Sequence, residues 1–168
     1  RAGLSWLDIR YELPDVFRQS ERTELYRSHF TRLIESGAAY EAEDSEHEKG
    51  KKVVRFRNPN VRVAFDDLIR GEVSFDTTEL GDFVIGRTVD EPLYHHAVVV
   101  DDADMKVTHV IRGEDHISNT QRQILLQEAL GFPRPLYAHI PLILAPDRSK
   151  LSKRYGAVSV TEYRKRGY

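Results

Sequence analysis

The fold turns on residues 97–144, AVVVDDADMKVTHVIRGEDHISNTQRQILLQEALGFPRPLYAHIPLIL. Ala97-Val98-Val99-Val100 is continuously apolar, Thr108 to Ile111 offers a second short strand, and Ile140-Pro141-Leu142-Ile143-Leu144 a third. Unbroken apolar runs of this length suit strands covered on both faces. Between the second and third lies a helical segment, Ser118 to Leu130. Ser118 and Gln121 stand at capping-box spacing, Ile124, Leu125 and Leu126 supply its apolar content, and Gly131 is its stop. Strand, strand, helix, strand predicts an α/β half-domain after Pro92.

Upstream of Pro92 the period changes to two, in Val53-Val54-Arg55-Phe56-Arg57, Val61-Arg62-Val63-Ala64-Phe65, Val73-Ser74-Phe75 and Phe83-Val84-Ile85. Asn58-Pro59-Asn60 and Arg70-Gly71-Glu72 suit the turns between them, which predicts a small antiparallel β unit. Glu41 to Lys52 is charged and reads as a solvent loop. Before it, Ser20 to Gly37 predicts a helix, capped by Ser20, with Leu25, Tyr26, Phe30, Leu33 and Ile34 on one face and Gly37 as its left-handed end. Trp6, Tyr26, Phe30 and the strand phenylalanines are expected in the core.

The chain has 168 residues, 25 Lys and Arg against 27 Asp and Glu, 40% hydrophobic and 31% charged residues. At this length a chain buries about 70% of its extended surface, enough for a core without covalent staples. Cysteine is absent, which excludes disulfides, thiolate zinc sites and a cysteine nucleophile. No apolar run approaches the roughly 20 residues that span a bilayer. Arg1-Ala2-Gly3-Leu4-Ser5-Trp6 has neither a starting methionine nor a signal-peptide core, and is expected to begin within a domain.

Charge is segregated along the chain. From Asp147 to Tyr168 seven cations face two acids, a net +5, and Ser149-Lys150-Leu151-Ser152-Lys153-Arg154 directly follows the last apolar run. Loops at the carboxyl ends of α/β strands bind ligands, and two lysines three residues apart with a serine between can converge on a polyphosphate. A solvated basic surface loop is the plainer reading. A second cluster joins Tyr94, His95 and His96 to Asp101, Asp102, Asp104, His109, Glu114, Asp115 and His116. These groups suit a divalent metal and a metal-dependent phosphohydrolase, or else a turn and an ion-paired strand end. Arg112 presents a planar fork that matches a carboxylate in two parallel hydrogen bonds, with the Tyr94 hydroxyl completing recognition of an acidic small molecule. Its plainer role is a core arginine paired to Asp102.

At Val110-Ile111-Arg112-Gly113-Glu114-Asp115-His116-Ile117-Ser118-Asn119-Thr120, at Gln123, and again at Lys150-Leu151-Ser152-Lys153-Arg154-Tyr155-Gly156-Ala157-Val158-Ser159-Val160, the chain closely resembles bacterial glutamyl-tRNA synthetases, a class I aminoacyl-tRNA synthetase family. The similarity extends through Arg18-Gln19-Ser20-Glu21-Arg22, Phe65-Asp66-Asp67-Leu68-Ile69-Arg70-Gly71-Glu72-Val73-Ser74-Phe75 and Val98-Val99-Val100-Asp101-Asp102. The resemblance implies an α/β fold: the second half of a Rossmann-type catalytic domain carrying a small α+β acceptor-binding insert. Residues 1–19 would end the first Rossmann half, 20–91 form the insert, and 92–168 form the second half with a KMSKS-type loop.

The same resemblance implies a cytoplasmic, monomeric ligase that uses ATP and Mg2+ to join L-glutamate to tRNA(Glu) through a glutamyl-adenylate, with no membrane partner. Lys150, Leu151, Ser152, Lys153 and Arg154 would form the nucleotide loop, Lys153 touching ATP and Lys150 holding the loop over the phosphates. Asp115 would line the nucleotide pocket, and Tyr94, Arg112 and His116 the glutamate pocket. No metal ligand is expected on the chain. Lys51, Lys52, Arg55, Arg57, Arg62 and Arg70 are candidates for tRNA phosphates, with solvent-facing strand positions the plainer role for at least half. The family's HIGH-type motif, the arginine that reads the substrate side chain and the anticodon-binding domain have no counterpart here, so the chain is expected to be catalytically incomplete. The insert between Tyr40 and Val53 is shorter than usual for the family. A paralogue that attaches glutamate to the queuosine base of tRNA(Asp) is the nearer alternative, against which Lys153 and the insert weigh; a metal-dependent phosphohydrolase using His95, His96, Asp101, Asp102 and His116 is the farther one.

Overall fold

The computed structural model describes residues 2–9, 17–44, 50–144 and 160–168. It divides into two compact units, Arg18–Ile140 and a second formed by Arg1–Phe17 with Pro141–Tyr168. The described part of the second unit is two short helices, α1 (Ala2–Trp6) and α5 (Val160–Lys165). Trp6, expected in the core, is half-buried in α1. No helix of the described residues is long and apolar enough to cross a membrane.

The larger unit begins with α2 (Thr23–Glu35), which buries Tyr26, Phe30 and Leu33 at the helical spacing expected of its apolar face. Ser20 does not cap it: Gln19–Glu21 form a 3-10 turn and Arg22 is the residue before the helix. Gly37 ends the helix at φ 75°, where its backbone N–H donates to the Ile34 carbonyl. The chain then enters β1 (Ala39–Glu43) and β2 (Lys52–Phe56), so the first part of the expected charged loop is strand. Its hydrogen-bonding partner supplies the reason: Tyr40 pairs with Arg55 and Glu41 with Val54.

The period-two segments do not make one sheet. β2 pairs with β5 (Phe83–Thr88), and β5 with β6 (Glu91–Pro92), giving the antiparallel order β1-β2-β5-β6. β3 (Arg62–Asp67) and β4 (Gly71–Asp76) form a hairpin that leaves for a second sheet, ordered β4-β3-β8-β7. There β7 (His109–Gly113) and β8 (Leu136–Ile140) run parallel over five residue pairs, while β3 meets β8 at the single pair Asp67 and Tyr137. The expected boundary at residues 91 and 92 thus falls inside one compact unit.

Two expected strands are corrected. Ala97 to Val100 lies within α3 (Tyr94–Asp104), which buries His96, Ala97, Val99 and Val100. A helix surrounded by other elements can bury every side chain in a turn, so a short apolar run does not discriminate helix from strand. The expected strand Ile140 to Leu144 gives way to β8, four residues earlier; Ile143 is 76% exposed. Pro141, with no N–H, cannot extend a strand ladder. The helix α4 (Ile117–Leu130) starts one residue before the expected cap, without a side-chain cap hydrogen bond, and ends at Gly131 with φ 68° as expected.

The core is shared by helices and both sheets, through Phe30, Val54, Ile85, Val99, Ile124 and Leu126 among others. Gly86 has a specific packing role: a Cβ there would stand 2.7 Å from the Phe30 ring and 2.8 Å from the Thr88 carbonyl oxygen. That contact lets α2 lie close on β5. On the other sheet β7 is an edge, and Ile111 turns outward, 65% exposed.

Candidate functional site

Arg112 is the next-to-last residue of β7, where the parallel pair β7 and β8 reaches its carboxyl end. Its side chain is half-buried and bracketed by neutral acceptors. Nε donates to His139 Nε2 at 3.2 Å; Nη2 donates to Thr120 Oγ1 at 2.7 Å and to Gln123 Oε1 at 2.8 Å. Thr120 and Gln123 are three residues apart and therefore neighbours on one face of α4. The guanidinium also lies 5.7 Å from the centre of the Tyr137 ring. Three of the five N–H hydrogens of an arginine are used in this way. Nη1 meets no acceptor among the described residues, and no carboxylate there bonds Arg112 directly.

The expected pairing with Asp102 is therefore absent as a hydrogen bond. Burial raises the Asp102 carboxyl pKa, and the charge of Arg112 opposes that rise from a distance. The expected two-pronged fork is also modified, because Nη2 is already committed to α4. Nη1 is the arm of the guanidinium with no hydrogen bond among the described residues.

Behind Arg112 stands a buried pair that the sequence did not reveal. His139 and Asp67 both have fully buried side chains, and His139 Nδ1 lies 2.6 Å from Asp67 Oδ2. Asp67 also accepts the backbone N–H groups of Ile69 at 3.0 Å, Arg70 at 2.9 Å and His139 at 3.1 Å. Burial pushes this carboxyl upward, but the hydrogen bonds from His139, Arg70 and Ile69 outweigh it and hold its pKa at about 2. Asp67 is an anion at neutral pH. Since Arg112 can only donate, His139 Nε2 must accept, and the imidazole proton sits on Nδ1 toward Asp67.

Tyr94 opens α3 and is 48% exposed, with its ring centre 6.1 Å from that of His116 and 5.4 Å from that of His95. His116 ends the 3-10 turn Glu114–His116, and its Nδ1 lies 3.1 Å from Asn119 Nδ2. His95 is held neutral, its pKa depressed to about 4 by burial first and then by the nearby charges of Arg122, Arg112 and His116. Tyr94 is in ring contact with His95, and Arg112 and His116 lie within electrostatic reach of it. Two buried polar atoms in this region have no partner, His95 Nδ1 and Gln123 Nε2. Asp115 is exposed on the same turn. Its neighbour Glu114 is ion-paired with Arg70, from the β3–β4 turn.

A half-buried cation, an orphan amide donor and a phenol are the kinds of group that could receive a small anion. Buried polar groups normally have partners, so an unpartnered Gln123 Nε2 calls for an acceptor such as a ligand oxygen or a water. The position agrees with the rule that ligands bind beyond the carboxyl ends of parallel strands. A cleft of about 370 Å³ lies instead at the other ends of β7 and β8, by Thr108, His109 and Leu136.

The other candidates separate. Lys150, Leu151, Ser152, Lys153 and Arg154 lie outside the described residues. His96 is fully buried, stacked on Phe30 with ring centres 3.7 Å apart, and its Nε2–H donates to the Tyr26 carbonyl at 3.2 Å. Asp101 accepts the Tyr26 hydroxyl at 2.9 Å and pairs with Arg22 Nε at 2.9 Å, while Asp104 pairs with Arg22 Nη2 at 2.5 Å. Among the described residues no three His, Asp or Glu side chains converge to hold a metal ion. The metal reading of His95, His96, Asp101, Asp102 and His116 therefore has no assembled site.

Among the basic candidates of the β unit, Arg57 lies 4.9 Å from the Tyr40 ring centre and donates to the Gly37 carbonyl, Arg55 donates to the Asp82 carbonyl, Arg62 to Ser74 Oγ, and Arg70 pairs with Glu114. Lys52 is 3.7 Å from Glu41. Lys51, Lys52 and Arg87 line a shallow cleft of about 700 Å³ on the first sheet.

Sequence reasoning gave Asp67, His139, Thr120 and Gln123 no role at the site, although Asp67, Thr120 and Gln123 stand in the stretches that carry the resemblance. Thr120 and Gln123 did carry a signal, as polar side chains on the buried side of a helix whose neighbours are Ile124, Leu125 and Leu126. The pairing of Asp67 with His139 carried none, the two being 72 residues apart.

The family model for tRNA synthetases class I (E and Q), catalytic domain, matches residues 41–168. The glutamate–tRNA ligase of Aquifex aeolicus is 45% identical over 98% of this chain, which spans 42% of that protein. Glutamate–tRNA ligase 1 of Rubrobacter xylanophilus is 51% identical over 98% of this chain, which spans 37% of its length. A crystal structure of a glutamate tRNA ligase from Elizabethkingia meningosepticum in complex with its amino acid superposes with a TM-score of 0.83 at 29% identity, over 99% of this chain and 42% of that one. The α/β fold, the two motifs around Arg112 and Lys153, and a match over three quarters of the sequence agree: the chain belongs to the class I (E and Q) tRNA synthetase catalytic-domain family.

Proposed function

We propose that the protein carrying this chain is a glutamate–tRNA ligase, with tRNA(Glu), L-glutamate and ATP as its substrates and the cytoplasm as its place of work. The observation that carries the reading is the state of Arg112: a half-buried cation held by Thr120, Gln123 and His139, all neutral, with no hydrogen bond to a carboxylate among the described residues. A carboxylate of glutamate would supply the missing anion. Relatives of 45% and 51% identity that are named glutamate–tRNA ligases support the choice of amino acid.

In the proposed reaction the α-carboxylate of glutamate attacks the α-phosphorus of ATP, a carboxyl O–P bond forms and pyrophosphate leaves. A terminal ribose hydroxyl of the tRNA then attacks the acyl carbon and releases AMP. Side chains contribute positioning and charge neutralisation rather than covalent chemistry. Lys150 and Lys153, in one stretch of sequence with Leu151, Ser152 and Arg154, take the phosphates, and Asp115 lines the nucleotide side. Magnesium supplies further neutralisation of phosphate charge when bound. The donor set suits an ion that enters with the nucleotide, since the described residues form no carboxylate cage and Mg²⁺ keeps phosphate and water ligands.

In this reading residues 20–91 are the acceptor-binding insert, set between residues 1–19 and 92–168 of the catalytic domain. Lys51, Lys52, Arg55, Arg57, Arg62 and Arg70 are its candidates for phosphates, and their binding weakens steeply with salt. The test is glutamate-dependent ATP–pyrophosphate exchange in the full-length protein with tRNA(Glu) present. Lys153→Ala is expected to slow it about 10²–10³-fold, the loss of one preorganised electrostatic group. Exchange at the wild-type rate overturns the assignment.

A further inference from the structure

We propose that Asp67 and His139 are positioning residues for Arg112, setting the guanidinium through a buried relay from the β3–β4 turn to the substrate pocket. The inference rests on the reading of Arg112 as the glutamate-binding cation and adds the residues that aim it.

The relay has one consistent direction of donation. Arg112 Nε–H donates to His139 Nε2 at 3.2 Å, and His139 Nδ1–H donates to Asp67 Oδ2 at 2.6 Å. The Thr120 hydroxyl accepts from Arg112 Nη2 at 2.7 Å, lies 3.1 Å from His139 Nε2, and donates its own hydrogen to the His116 carbonyl at 3.4 Å. Every polar atom of the imidazole is used, and its ring is stacked on Tyr137 with centres 6.1 Å apart. A ring fixed on three sides fixes the arginine that leans on it.

Charge explains why the anion stands one residue back. A carboxylate bonded directly to Arg112 would neutralise it and compete with the substrate. Placed behind His139, Asp67 strengthens Nε2 as an acceptor and gives the buried region its counter-charge while leaving Nη1 for a ligand. Supporting partners of this kind orient a binding group and tune it without touching the ligand. The Asp67 carboxylate is anchored in turn by the N–H groups of Ile69 and Arg70, and Arg70 pairs with Glu114 beside His116. One turn between β3 and β4 therefore reaches both Arg112 and the 3-10 turn that bears His116. This turn is also where β3 touches β8, at Asp67 and Tyr137.

The test uses aminoacylation by the full-length protein, with Asp67→Asn, Arg112→Lys and the double variant. The amide introduced by Asp67→Asn keeps an oxygen for the turn's N–H groups and loses the charge. Asp67→Asn is expected to raise the KM for glutamate about tenfold with the KM for ATP within about twofold, and to add nothing in the Arg112→Lys background, because both changes act on one group. A raised glutamate KM in Arg112→Lys with none in Asp67→Asn overturns the relay and leaves the pocket standing. Additive losses, or equal rises for glutamate and ATP, overturn it too. No change in either variant overturns the pocket reading itself. A measurement independent of any variant is the ¹⁵N spectrum of the His139 ring in the wild-type protein: a bare Nε2 whose resonance moves on saturation with glutamate supports the relay, and a proton on Nε2 refutes it.

Discussion

Arg22 and Arg112 are both half-buried arginines near the α3 helix, and they are held in opposite ways. Arg22 meets two carboxylates, Asp101 at 2.9 Å and Asp104 at 2.5 Å, and Asp101 is further bound by the Tyr26 hydroxyl. Arg112 meets a hydroxyl, an amide oxygen and an imidazole. The first cation is quenched and fastens α2 to α3. The second is oriented by neutral groups, its counter-charge set one residue back at Asp67, an arrangement that suits an anion that comes and goes. The consecutive histidines of α3 divide between the two regions: His96 packs on Phe30 and Tyr26 at the fastening, and His95 sits within electrostatic reach of Arg112 and His116.

Exchanging the two losses is the strongest way to break this contrast. Arg112→Ala in the full-length protein is expected to lower kcat/KM for glutamate about a thousandfold, ~4 kcal/mol, the scale for removing one partner of a desolvated charge contact. Its unfolding midpoint should move little. Arg22→Ala should do the reverse, costing ~2 kcal/mol of stability by stranding Asp101 and Asp104, whose partner is only 12% exposed, with glutamate kinetics unchanged. Urea unfolding and initial-rate kinetics on both variants decide the matter. Loss of glutamate recognition in Arg22→Ala would dissolve the distinction.

The second prediction sharpens the contrast by pH. Burial depresses the His96 pKa to about 4, only partly offset by its bond to the Tyr26 carbonyl. The unfolded chain takes up that proton near the ordinary histidine value of about 6.5, so between these values the unfolded state holds more protons and acid favours it. Stability is full above about pH 6.5 and is lost as pH falls toward 4, by roughly 3 kcal/mol for this histidine. His95, depressed to about 4 as well, adds a loss of the same sign. Denaturant midpoints measured from pH 7 to pH 4.5 should fall steadily, and His96→Phe should flatten part of the slope. A slope unchanged in that variant would remove His96 from the fastening.

The legible and illegible parts of the chain differ by the range of the contacts that define them. Tyr26, Phe30 and Leu33 announce α2 because a helix face is written within four residues, and Gly37 and Gly131 announce helix ends because positive φ is a local demand. The alternation of β2, β3 and β5 is equally local. Their division between two sheets is not, since it depends on Val54 meeting Gly86 and Asp67 meeting Tyr137. Ala97 to Val100 misleads because its residues are all buried or half-buried, which blurs the period that separates helix from strand. β8 escapes because its buried residues, Tyr137, Ala138 and His139, look less strand-like than the exposed run after Pro141. In the site, Arg112, Thr120 and Gln123 stand in one readable motif, whereas Asp67 and His139 come from two other elements and join the set only in the fold.

The smallest expected effect tests the outer edge of the pocket. Tyr94 lies at the start of α3, 48% exposed, and touches the site through rings rather than through hydrogen bonds to Arg112. If its hydroxyl completes recognition of glutamate, Tyr94→Phe removes one hydrogen bond to a ligand and costs ~1 kcal/mol, about a fivefold rise in glutamate KM, with kcat and stability unchanged. The ring contacts to His95 and His116 survive in phenylalanine, so a larger loss would mean that the hydroxyl also orders the pocket. No rise at all would shift recognition inward to Arg112 Nη1 and the unpartnered Gln123 amide. The contrast with Arg22 would then rest on those two groups alone, and Gln123→Glu, which sets a carboxylate against Arg112 and so converts its surroundings toward those of Arg22, would become the decisive variant.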